Sequence, residues 1–300
     1  MNTRHILLLA AILVSAAEAQ VSVTRSVQLP LPQTRKWANP QFSPTGLSVF
    51  YTDADGNGIW QYVFKTRTIR QITSDRKSGT AFSVSSDCKT VVYRRTTKEG
   101  PERKQDVVLV NILQKSSTVL ASGSDLAIPA FAGDTPVYTV NTTTQGFPST
   151  RATPTTVLGI EDTKIAVTLG GKKVLLDPIG NGRYIWPVLS PDKKRLVAYQ
   201  MEKGAFICNV DGSDVTMIGK RDAPSWTRSG KWIVFMDAKD DGHKILSSDI
   251  AVVSLDGLMT FPLTTTSQIL EMNPVCSPTE DKIACSTGDG SILILEYEER

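Results

Sequence analysis

Few residues in this chain have the types and spacing that chemistry needs. Beyond position 19 there is one histidine, His243, within Asp237-Ala238-Lys239-Asp240-Asp241-Gly242-His243-Lys244, and Ser247-Ser248-Asp249 follows. One imidazole can serve as a base, but it cannot supply a multi-histidine metal centre. The loop has two readings: Asp240, Asp241 and His243 take a ligand or cation, or they form a solvated hairpin. No strand-turn-helix nucleophile elbow accompanies them, so nothing assembles a hydrolase triad and no catalytic residue is assigned.

A second candidate is Asp53-Ala54-Asp55-Gly56-Asn57-Gly58. Asp53, Asp55 and Asn57 place oxygen-bearing side chains at alternate positions before a glycine, as in the first half of a calcium loop. Phe64 stands where such a loop needs its glutamate, and the flanks read as strands. The two readings are a calcium site and a plain Asp/Asn/Gly turn; no other cofactor is expected. Arg94 to Lys104 is a basic loop suited to an acidic partner or simply to water. Asn141-Thr142-Thr143 is a glycosylation sequon. Cys88, Cys208, Cys276 and Cys285 show no metal spacing. Cys276 and Cys285 are close in sequence but fall on successive strands, not directly opposite each other.

The elements that position these groups recur. Pro40-Gln41-Phe42-Ser43-Pro44 leads into Leu47 to Tyr51. Variants recur at Ala81 to Tyr93, Pro129 to Tyr138, Trp186 to Tyr199, Pro224 to Phe235 and Pro274 to Cys285. In each, a large apolar residue precedes a Ser-Pro-Asp-like turn, where Pro presets φ and the short polar side chain bonds nearby backbone. A β-branched and aromatic run then suits a half-buried strand. Further strands follow, several through Asp-Gly hairpins at Asp211-Gly212 and Asp256-Gly257. The turns repeat at roughly 47 residues, near the period of propeller blades.

This pattern predicts an all-β, six-bladed β-propeller with four-stranded antiparallel blades. The sixth repeat ends three strands in, and Val21 to Leu29 alternates like a strand, so the N-terminal strand is expected to close the ring. Ser190-Pro191-Asp192 and Ser85-Ser86-Asp87-Cys88-Lys89, with the two Asp-Gly hairpins, resemble the WD40-like repeats of TolB-type propellers over about residues 35–300. The resemblance implies a propeller of the cell envelope. The α/β domain that precedes the TolB propeller has no counterpart here.

Arg4 and His5, the apolar run Ile6 to Ala17 and Ala17-Glu18-Ala19 read as a secretory signal over residues 1–19, leaving residues 20–300 as one propeller domain. No later run is long enough to span a bilayer. The formal net charge of +3 is too mild and dispersed for a nucleic-acid binder. The expected protein is therefore periplasmic or secreted, monomeric, and binds another envelope protein or peptide. A hydrolase or lyase acting on glycan or peptide, and a carbohydrate-binding module using Trp37 and Trp186, are the alternatives. Loops leading into the blades share a face with the loops between second and third strands. That face collects Trp37, Trp186, Arg221, Asp222 and Glu271 with Asp53, Asp240, Asp241 and His243, and forms the expected site.

Overall fold

The computed structural model describes residues 20–98, 103–124, 126–140, 143–146 and 155–300. The expected signal (1–19), Asn141 of the sequon and residues 99–102 of the basic loop lie outside the described residues.

The apolar runs form antiparallel sheets, and among the described residues there are seven of them, not the expected six. Their inner strands are Trp37–Phe42, Phe82–Val84, Ala130–Ala132, Thr156–Glu161, Tyr184–Leu189, Asp222–Trp226 and Glu271–Cys276. Five blades have four strands, while blades 3 and 4 have three described strands each. The additional blade lies in the long interval between the third and fourth repeats. Thr156–Glu161 pairs with Lys164–Leu169, and that strand pairs with Lys172–Leu176. The first hairpin of this blade turns on Asp162 and Thr163, both left-handed at φ 48° and 64°. A two-residue turn of this kind matches strand twist without any Ser-Pro-Asp sequence. A repeat defined by its turn residues is therefore blind to this blade.

Elsewhere the turn motif works as its chemistry requires. Ser190 Oγ donates to Asp192 Oδ1 at 2.6 Å, and Asp192 Oδ1 accepts the Lys194 N–H at 3.1 Å. Ser190 Oγ also accepts the Arg195 N–H at 3.0 Å. Ser85 and Asp87 repeat the device. These hydrogen bonds hold the Asp192 and Asp87 carboxyls below the usual range.

Apolar clusters join neighbouring blades. Ile233 and Phe235 of blade 6 meet Val197 and Ile207 of blade 5. Val49 and Tyr51 of blade 1 meet Ala284 and Ile294 of blade 7. Strand Val21–Gln28 pairs antiparallel with Ile292–Glu299 as the outer strand of blade 7. Among the described residues no helix is long and apolar enough to cross a membrane.

Candidate functional site in the axial channel

The inner strands carry the feature that shapes the channel. In blades 1, 5, 6 and 7 an extra residue enters the inner strand, and its register against the second strand slips at Ala38/Gln41, Ile185/Val188, Asp222/Ser225 and Met272/Val275. Each slip holds a left-handed residue followed by proline: Asn39-Pro40, Trp186-Pro187, Ala223-Pro224 and Asn273-Pro274, with φ between 47° and 53°. Proline donates no hydrogen bond to the ladder, so a bulge is where a strand accepts it. The inserted residue also reverses the side-chain alternation. Trp37, Tyr184 and Glu271, each two residues before a left-handed position, are buried. Asn39, Trp186 and Asn273 line a cavity of about 510 Å³.

The cavity runs along the inner strands of blades 1, 5, 6 and 7 and reaches Gly79 and Thr80. Gln41, Phe42, Val188, Ser225, Val275 and Cys276 complete much of its wall. Among the described residues no Asp, Glu, His, Lys or Arg lines it. Cys276 is a free thiol, pushed up to about 12 by burial. Charge gathers instead at the mouths. At one, Tyr199 lies beside Asp222, and Lys220 Nζ is 3.7 Å from Asp240 Oδ2. Burial raises the Asp222 carboxyl above its ordinary range; Asp240 and Asp237 push the same way, and Lys220 opposes them. At the other mouth Arg228 pairs with Asp281 at 2.8 Å.

The expected site residues therefore separate. Trp186 and Asp222 come together at Tyr199, whose ring lies edge-on to Trp186 at 5.7 Å, and Asp240 stands beside Asp222 through Lys220. Trp37 belongs to the core, edge-on to Tyr51 at 5.2 Å and to Trp60 at 5.0 Å, with Nε1 donating to the Pro32 carbonyl at 2.8 Å. Arg221 lies over the Phe235 ring at 4.7 Å and donates to Thr260 Oγ1 at 3.2 Å. Asp241 accepts the His243 and Lys244 N–H groups in an exposed turn, outside the channel lining. Asp53 Oδ1 accepts the N–H groups of Asp55 (3.1 Å) and Asn57 (2.7 Å). Lys77 Nζ donates to the Asp55 backbone carbonyl at 2.8 Å, and the Lys77 N–H donates to Asn57 Oδ1 at 3.1 Å. Among the described residues no three His, Cys, Asp or Glu side chains gather as a metal-holding group.

Glu271 is buried at the seam of blades 6 and 7, where its carboxylate accepts the Thr264 hydroxyl, whose oxygen in turn accepts the Ile250 N–H at 2.9 Å. Burial raises its carboxyl above the ordinary range, and Asp249 adds to the rise. A raised carboxyl gives stability that is complete below the unfolded value and is lost as pH climbs through the folded one. Glu271→Gln keeps an acceptor for Thr264 and cannot ionise. Thermal melts from pH 4 to 8 are expected to show the variant more stable than the parent at neutral pH, with the difference vanishing toward acid. An equal advantage at every pH would contradict this account.

The expected site included Trp186 and Asp222 but not the bulges that aim the inner strands. The signal was present: in three of the four, proline stands three residues after the buried residue, at Trp37/Pro40, Tyr184/Pro187 and Glu271/Pro274.

No protein-family model and no curated protein matches the chain in sequence. Solved structures do match in fold. The β-propeller domain of Cps50 (Swd1) from Myceliophteria thermophila aligns with a TM-score of 0.62 at 10% identity, over 91% of this chain and 99% of that one. TolB from Acinetobacter baumannii aligns at 0.55 and 16% identity, over 80% of this chain. An oligogalacturonate lyase in complex with manganese aligns at 0.50 and 13% identity, over 87% of this chain and 76% of that one. The alignment spans 57% of the length of the Acinetobacter TolB. At these identities the likeness shows the fold alone: a TolB-like, all-β propeller.

Proposed function

We propose that this chain is an exported, monomeric propeller that binds a segment of an envelope protein or peptide through its axial channel. The carrying observation is the cavity itself. Its volume of about 510 Å³ falls within the roughly 300–1,000 Å³ of ligand sites. Its wall joins apolar and aromatic surface to the amides of Asn39, Gln41 and Asn273, a combination that can pack side chains and hydrogen-bond a peptide backbone. The charged mouth at Lys220, Asp222 and Asp240 adds a place for flanking residues. The enzymatic reading draws only on the fold shared with the lyase. Among the described residues the channel wall offers it no imidazole or carboxylate, and its thiol is held protonated at neutral pH.

A photo-crosslinking residue placed at Gln41, within the channel, tests the proposal in host envelope extract. The expected result is a discrete adduct that disappears when Trp186→Ala is added and is missing when the crosslinker sits at exposed Leu113. Absence of a channel adduct, or one indifferent to Trp186, rejects the proposal.

A further inference from the structure

The four bulges put different side chains at one demanding backbone position. Asn39 and Asn273 hold it at φ 50° and 53°, in the left-handed region that asparagine tolerates best after glycine. Trp186 holds it at 53°. A bulky side chain there crowds its own backbone, and the following proline narrows the choice further. Such outliers persist when the surroundings fix them, and they concentrate at binding sites.

Burial does not account for this one. Trp37, Trp60, Trp226 and Trp232 are all at most 7% exposed and pack between blades, whereas Trp186 is 39% exposed. Its ring stands on the channel wall, steadied on one side by Tyr199. Among the described residues the cavity wall offers amides, hydroxyls and apolar groups, and the charges of Lys220, Asp222 and Asp240 stand outside it, at the mouth beyond Tyr199. A charged side chain entering this cavity would lose water and gain no counter-ion, whereas a neutral segment would meet donors and acceptors from Asn39, Gln41 and Asn273.

We infer that Trp186 determines the specificity of the channel, and that the segment it accepts is an uncharged stretch of extended peptide that sets an aromatic or apolar side chain against the indole. This rests on the peptide-binding reading above. The strained tryptophan is then kept for recognition at the expense of stability.

Two measurements on the full chain test it. First, Trp186→Asn and Trp186→Gly suit the backbone better and are expected to raise the melting temperature, by about 2–4 °C, with an unchanged far-ultraviolet spectrum. A fall in both variants would overturn the claim that recognition maintains strain here. Second, a phage-displayed library of random dodecapeptides is selected on the parent protein, and the selected peptides are titrated against both variants. The expected peptides carry a central run free of Asp, Glu, Lys and Arg with an aromatic or apolar residue in it, and bind the variants at least tenfold more weakly. Selected peptides that depend on a charged residue in that run, or that bind parent and variants equally, overturn the inference and leave peptide binding standing. No enrichment on the parent overturns peptide binding itself, and the inference with it.

Discussion

Deleting residues 20–30 is expected to abolish the cooperative thermal transition of the propeller, or to lower it drastically. Val21–Gln28 runs antiparallel along Ile292–Glu299, and the Arg300 N–H continues the contact to the Gln20 carbonyl at 2.9 Å. Val21 packs with Ile283, Leu295 and Tyr297 of the same blade and Trp232 of the neighbouring one. Leu29 is buried between blades 7 and 1. Burying each such side chain contributes about 1.5–3 kcal/mol. Together these two losses come to roughly 3–6 kcal/mol, a large part of the stability of an ordinary domain, about 5–15 kcal/mol. The deletion would also bare Ile292–Glu299 as a long unpaired edge, prone to pairing with another chain. Replacing exposed Thr24 and Arg25 by alanine should leave the melting temperature nearly unchanged and serves as the control. A truncated protein that melts like the parent would show that this strand adds nothing to the fold.

The second large effect separates two tryptophans that look alike in sequence. Trp37→Ala removes a buried ring held by Tyr51, Trp60 and a hydrogen bond to Pro32. It also takes away one of the two rings beneath the Arg35 guanidinium. Truncating a buried aromatic costs about 3–5 kcal/mol, because transfer and cavity costs add. Urea titration should show that fall as a lower midpoint with a similar slope. Channel binding should survive wherever the variant remains folded. Trp186 is expected to behave in the opposite way, losing binding without losing stability. If Trp37→Ala cost less than about 1 kcal/mol, the blade 1 core would be far more plastic than its packing implies. The carbohydrate-platform alternative, which needs both rings exposed, does not fit a Trp37 enclosed by the core.

The difference between these rings comes from one inserted residue. Trp37 and Asn39 have the same parity along a strand, as do Tyr184 and Trp186. Strict alternation would send both members of each pair to one side. The left-handed residue before Pro40 and Pro187 breaks the alternation, so the first faces the core and the second faces the channel. Glu271 and Asn273 divide in the same way. This is why a face assigned by strand order combined core residues with channel residues.

By itself the sequence determined the class of fold. Ser-Pro-Asp turns, Asp-Gly hairpins and apolar strands of regular spacing are local devices, each closed by hydrogen bonds within a few residues, and local devices can be read one residue at a time. The tertiary structure alone decided the number of blades, because blade 4 turns on Asp162-Thr163 and is recognisable only by the strands it pairs. It alone also decided which tryptophan is free. That depends on whether a neighbouring blade covers the ring: blade 7 and the segment through Leu31 close over Trp37, while Trp186 is left facing the channel.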